Sequence, residues 1–202
     1  MSSDDTPINR IREAWEAELG LTFDDSWWDA ALSTFHTSST CARLTLIQFK
    51  VLFRIHYSKA KLSRIYPNVT DRCDRCNFSP CNLTHMFYSC PLLVNLWKNY
   101  FDAMSKVFSI PVNISPHTAI FGVPEDYARF TSRQLDVLAF TSLIVRRHLL
   151  LQWKSTKPPS STQWLSEVMS FLKLERIRYS TRGNLTTFPK KWDAFLTYFN
   201  SI

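Results

Sequence analysis

Glycine is nearly missing from this chain, with three in 202 residues. Tight hairpins, dinucleotide-binding turns and phosphate loops all need glycine, for positive φ or for close backbone approach. Its scarcity argues against those architectures and for helices joined by short Pro, Ser and Asn turns. No apolar run reaches the roughly 18 residues of a membrane-spanning helix. The first residues, Met1-Ser2-Ser3-Asp4-Asp5, are acidic and lack the apolar core of a secretory signal. Five cysteines, an odd number, then point to reduced thiols that serve as ligands rather than disulfides. The expected location is intracellular, in the nucleus or cytoplasm, with no membrane partner. No Ser/His/Asp or Cys/His set stands in a recognisable context, so an enzyme is not expected.

Apolar residues are plentiful. They make up 45% of the chain, with seven Trp and fifteen Phe, enough for a core that does not depend on a metal. The net charge of +7 favours an anionic partner, nucleic acid before membrane surface. It is unevenly spread. Residues 1–40 hold two basic and eight acidic residues, a net of −6. Residues 41–75 hold eight basic and two acidic, a net of +6.

Helical periodicity recurs along the chain. Ile8, Ile11, Trp15 and Leu19 mark a first helix that Gly20 stops. Asp24 or Asp25 caps a second, with Trp27, Trp28, Ala31, Leu32 and Phe35. Thr22-Phe23-Asp24-Asp25 loosely resembles a paired-aspartate polymerase site, but a pair at a helix start followed by two tryptophans reads as a cap. Cys41 to Ile65 contains neither Gly nor Pro and predicts one long helix, or two with a break near Ser58. At about 100° per residue, Arg43, Lys50, Arg54 and Lys61 fall on one narrow stripe of that helix, a basic ridge. Later helices are expected over 91–108, 132–154, 163–179 and from Pro189 on, with a turn-rich stretch at 109–131. The class is all-α, a multi-helix domain in three stretches. These are an acidic segment (1–40), a basic helix with a metal knuckle and the following helix (41–108), and a C-terminal bundle (109–202).

The most informative stretch runs from Arg72 to Pro91. It spells C-x2-C, eight residues, then H-x4-C, with Cys73, Cys76, His85 and Cys90. Two residues between cysteines let both sulfurs face one point, and zinc takes four such ligands at tetrahedral corners. Four protein ligands leave no position for water, so a structural Zn2+ is expected rather than a catalytic one. Arg72 and Arg75 favour thiolates nearby. Cys81 is an alternative to Cys76 or Cys90. Cys41 reads as core, and His36, His56, His117 and His148 as surface or core.

These residues resemble a known family. Leu46-Ile47-Gln48-Phe49-Lys50-Val51-Leu52-Phe53-Arg54-Ile55-His56-Tyr57-Ser58-Lys59, then Cys73-Asp74-Arg75-Cys76 and His85-Met86-Phe87-Tyr88-Ser89-Cys90-Pro91, look like the C-terminal region of non-LTR (LINE-type) retrotransposon reverse transcriptases, most like fish and other vertebrate copies. Ala119-Ile120-Phe121-Gly122-Val123 and Phe171-Leu172-Lys173-Leu174-Glu175-Arg176-Ile177-Arg178-Tyr179 are similar to segments further downstream. The resemblance implies Cys73, Cys76, His85 and Cys90 as metal ligands, and contact with template RNA or target DNA. The family's endonuclease and polymerase domains have no counterpart here. The chain therefore reads as a detached C-terminal piece, which a polymerase domain on another chain would complement.

For nucleic acid, the candidate contacts are the ridge (Arg43, Lys50, Arg54, Lys61) with Lys59, Arg64, Arg72 and Arg75 on phosphates, and Tyr57, together with Tyr66, on unpaired bases. A second basic cluster runs from Lys173 to Arg182. The alternative is a helical protein-interaction module with a structural zinc, docking a partner through its aromatic first helices and acidic N-terminus.

Overall fold

A computed structural model describes residues 6–201; the acidic start read at residues 1–5 lies outside them. Among the described residues there are eight α-helices and no strand. They are α1 (Pro7–Leu19), α2 (Asp25–Thr37), α3 (Ala42–Leu52), α4 (Lys59–Ile65), α5 (Val94–Phe108), α6 (Ser132–Leu151), α7 (Ser161–Thr181) and α8 (Thr187–Asn200). Two single π-helical turns, His85–Ser89 and His117–Phe121, sit between them.

Local chemistry sets the boundaries. Thr6 accepts from the Asn9 N–H at the head of α1, and Gly20 ends it at φ 67°. Asp24 accepts from Trp27 N–H and caps α2, so the Asp24-Asp25 pair is a helix start. Thr131 with Gln134, and Ser160 with Gln163, form capping boxes on α6 and α7. Pro91 opens a short 3₁₀ turn (Pro91–Leu93) that runs into α5.

α6 is the central element. Every residue from Val137 to Arg146 is buried. It packs on α3, α7, α8 and both π-turns, so the core runs through all three stretches of the sequence. Arg146 lies wholly buried inside it. Its guanidinium donates to the Ala119 carbonyl at 2.8 Å and to Gln48 Oε1 at 2.6 Å. The Gln48 amide in turn donates to Thr34 Oγ1 and the Phe121 carbonyl. One buried cation thereby ties α2, α3 and α6 to the turn at 117–121. Burial lowers its pKa to about 9 against a smaller opposing pull from Tyr100.

Gly122 closes the 117–121 turn at φ 82°, where a Cβ would stand 3.0 Å from the Ala139 backbone. Glycine is needed there on both counts, left-handed backbone and close approach. All three glycines take positive φ, and Arg54, Asn77 and Ser109 do so without being glycine. Half of the left-handed positions among the described residues are thus filled by residues other than glycine.

The long helix expected over 41–65 is two helices. α3 ends at Leu52, earlier than the Ser58 break anticipated. Ile55 N–H bonds to the Lys50 carbonyl at 2.8 Å, with Arg54 between them at φ 54°, which is a Schellman stop. An arginine in the usual glycine position costs of order 1–2 kcal/mol. It is held by an ion pair to Glu18 and by its stacking 4.2 Å from the Trp15 ring centroid. Ser58 then caps α4 by accepting from Lys61 N–H.

Candidate metal centre

Between α4 and α5 the chain has little regular structure, and the ligand residues gather there. The Asn77 N–H donates to the Cys73 carbonyl, and the Cys73 N–H to the Phe78 carbonyl, both at 2.9 Å. With Asn77 at φ 63°, the chain folds back sharply after Cys76. The Cys81 N–H then bonds Asp71 O, and Ala60 N–H bonds Cys81 O, which pins the knuckle to the first turn of α4. His85 starts the π-turn, its N–H capped by Asn82 Oδ1 at 2.8 Å. Cys90 follows at the extended residue before Pro91.

One ligand atom from each of Cys73, Cys76, His85 and Cys90 lies within 4.8 Å of the others. Cys76 Sγ and His85 Nε2 are 3.2 Å apart. A tetrahedral ion with M–S near 2.3 Å and M–N near 2.0 Å places its ligand atoms about 3.5–3.8 Å apart. The four are therefore close enough to share one metal ion. Cys41, in contrast, is the residue preceding α3, outside the group.

The electrostatics suit a cation. Burial is the largest single influence on the Cys73 thiol and pushes it up, but hydrogen bonds from the Cys76 and Arg75 N–H groups and from the Cys76 and Cys90 side chains together hold it below the ordinary thiol range. Burial, aided by the neighbouring sulfurs, pushes Cys90 up to about 12. Crowded thiols that resist ionising together reverse this on meeting a divalent cation. Burial first and Arg75 second keep His85 below its usual range, so its ring stays neutral with a lone pair to offer. Phe78 stacks on that ring at 4.9 Å, nearly parallel.

Cys81 falls outside the four. It is buried beside Cys73, and burial first, then the Cys73 charge, push its thiol to about 12. Glu18 of α1 was not singled out in the sequence. Its carboxylate accepts the Thr84 N–H at 2.7 Å while pairing with Arg54, which fixes the turn carrying His85 to the N-terminal helix. Acidic residues in a solvated-looking helix give no sequence signal for such a role.

The structure separates the predicted basic residues. The break at Phe53 ends the helical wheel that aligned Arg43, Lys50, Arg54 and Lys61, so they form no single ridge. Arg54 is engaged with Glu18 and Trp15. Lys59 pairs with Asp74 at 2.9 Å. Arg75 is buried and turns inward, toward the Met86 and Leu149 carbonyls, so it joins the knuckle to the end of α6 rather than facing solvent. Arg43 is exposed and Lys50 half-buried on α3. Lys61, Arg64 and Arg72 are exposed on α4 and the knuckle, with Tyr57 (55% exposed) and Tyr66 (56%) alongside in sequence. The Lys61 ammonium sits 4.8 Å from the Tyr57 ring centroid. Of the second cluster, Arg178 donates to the Thr40 carbonyl, whereas Lys173, Arg176 and Arg182 are exposed.

No protein-family model matches the chain. No helix among the described residues is long and apolar enough to cross a membrane.

Proposed function

We propose that this chain is a non-catalytic nucleic-acid-binding domain in which Cys73, Cys76, His85 and Cys90 hold a structural Zn2+. The observation that carries the metal reading is the convergence of the four ligand atoms within 4.8 Å. Three thiolates and one imidazole are a donor set suited to zinc, and four protein ligands close its coordination. The role of the ion is to fix the 73–90 loop against α4. That loop and helix then present Lys61, Arg64 and Arg72, with Tyr57 and Tyr66, to RNA or DNA. Lys and Arg at this density neutralise phosphates without reading sequence, and exposed tyrosines stack on unpaired bases. Arg54, Lys59 and Arg75 support that surface from below and do not contact the ligand. The resemblance to the C-terminal region of LINE-type reverse transcriptases supports the same reading, with a polymerase domain on another chain as its companion.

The test is binding of a labelled single-stranded RNA and DNA across a salt series. The triple variant Lys61→Glu, Arg64→Glu, Arg72→Glu is expected to lose most affinity and to flatten the salt slope by about 0.7 per lost phosphate contact. A slope unchanged by these substitutions would sink the nucleic-acid reading. Metal analysis of the purified protein tests the other half, with one zinc per chain expected, lost in Cys73→Ser and kept in Cys81→Ser.

A further inference from the structure

The 73–90 loop carries one large apolar ring that the fold leaves uncovered. Phe78 is 53% exposed, and so are its neighbours Asn77, Ser79 and Pro80. The backbone puts it there. The Asn77 N–H reaches back to the Cys73 carbonyl, and the Phe78 carbonyl accepts from the Cys73 N–H, both at 2.9 Å. With Asn77 left-handed at φ 63° between them, Phe78 stands at the tip of the knuckle. Its ring does not hang loose. One face rests on the His85 imidazole, with centroids 4.9 Å apart and planes 8° from parallel. His85 is itself buried, its N–H capped by Asn82. With the inner face covered, the exposed area belongs to the outer face and the ring edge. No other ring or cation lies against Phe78 among the described residues.

An exposed apolar side chain needs no explanation by itself. Three further observations give this one a ligand. The first is width. Phe78 stands between two polar residues, Asn77 and Ser79, so it offers a single ring rather than a patch. A protein interface needs several hundred Å² a side, whereas one ring matches one nucleobase. The second is charge. Both acids of the knuckle are spent, Asp71 accepting from Ser79 Oγ at 2.7 Å and Asp74 pairing with Lys59 at 2.9 Å. Arg72 is exposed and in no ion pair among the described residues, and its guanidinium donates to the Asn77 carbonyl at 3.3 Å. A free cation thus stands next to the ring. The third is order. A ring already held by His85 loses little rotamer freedom when a ligand covers it.

We infer that Phe78 is a stacking platform for one unpaired base of a single-stranded nucleic acid, with Arg72 on the adjoining phosphate. On the nucleic-acid reading above, on which this rests, the ligand narrows. Bases in a duplex already cover one another's faces, so only a base outside a stack can lie on Phe78. Every base has a π-face, so the platform selects single strands without selecting sequence.

The test titrates the full chain with two strands of equal length and charge, an oligothymidylate and a strand of abasic spacers. The oligothymidylate is expected to bind more tightly. Phe78→Leu is expected to weaken it about tenfold, in line with the loss of one stacked base. The same variant should leave affinity for the abasic strand and the salt slope unchanged, because no phosphate contact is lost. Phe78→Trp is expected to keep the preference. Phe78→Leu also removes the ring that covers His85, so a second measurement uses the unaltered protein. An iodouracil-substituted strand is cross-linked by light and the adducts are mapped by mass spectrometry, with Phe78 expected among them. Equal weakening of both strands by Phe78→Leu, or adducts on Tyr57 and Tyr66 but never on Phe78, would overturn the platform and leave nucleic-acid binding standing. Binding of neither strand would overturn the nucleic-acid reading itself, and the platform with it.

Discussion

The 73–90 loop and the environment of α6 solve the same problem in different ways. Each must keep polar or charged groups out of water. Around α6, a single buried cation is answered by neutral acceptors, the Ala119 carbonyl and Gln48, inside a shell of close-packed aromatic and aliphatic side chains. In the loop, three buried or half-buried thiols and an imidazole face one another beside Leu83, Met86 and Phe87, which join the same core. Their backbone is tied down by a few turn hydrogen bonds. Packing holds the first region whatever the solvent contains. In the second, packing brings four donors together, and a shared cation would add the energy of coordination.

The sharpest way to break that contrast is metal removal. Chelation is expected to abolish protection of the 73–90 amides, since metal-linked folding in such sites is worth roughly 10 kcal/mol or more. Protection of α6 should survive, read by hydrogen exchange with and without chelator. Simultaneous loss in both regions would show that the two are one cooperative unit. Next in size is Arg146. Arg146→Ala is expected to cost about 3–5 kcal/mol in denaturant unfolding, because Gln48 and the Ala119 carbonyl lose their donor in the dry interior. Arg146→Met, which keeps the volume, should cost clearly less. Gly122→Ala comes third, at about 2–4 kcal/mol, from left-handed backbone and from crowding against Ala139. It should lower thermal stability without changing metal content.

The smallest effect is on pH. Burial is the main reason that His56 and His117 are held below 6.5, aided at His56 by Lys50 and opposed at His117 by Glu125. A base with a depressed folded pKa stays neutral in the folded protein while the unfolded chain takes up a proton. Stability is therefore full above pH 6.5 and falls as pH drops from there toward the folded value. The slope is at most about 1.4 kcal/mol per pH unit for each ring. His117→Gln should flatten the profile between pH 6.5 and 5, measured by urea unfolding across that range; an unchanged slope would mean that His117 is not the group responsible.

Much of this was legible in the chain. Scarce glycine, apolar spacing and the Asp24 cap account for the all-α class and the start of α2, because caps and periodicity are local properties; the capping boxes at Thr131 and Ser160 were not singled out in the sequence. The ligand spacing of 73–90 was equally local, and the four residues do come together. The failure was also local in origin. Arg54 stands where a Schellman stop normally has glycine, so residues 41–65 read as continuous and their basic residues as one ridge. Nothing nearby in sequence reveals that Glu18 and Trp15, 36 and 39 positions away, hold that arginine in place.

The sequence by itself determined most of the helices, the four candidate metal-binding residues and the uneven distribution of charge, since each depends on neighbours within a few residues. Only the tertiary structure decided which charges are free. Arg54, Lys59 and Arg75 were drawn into pairs or carbonyl contacts, and Arg146 was taken into the core. Whether a charged side chain is spent or available depends on partners far apart in the chain, and desolvation and distance settle that only once the helices have packed.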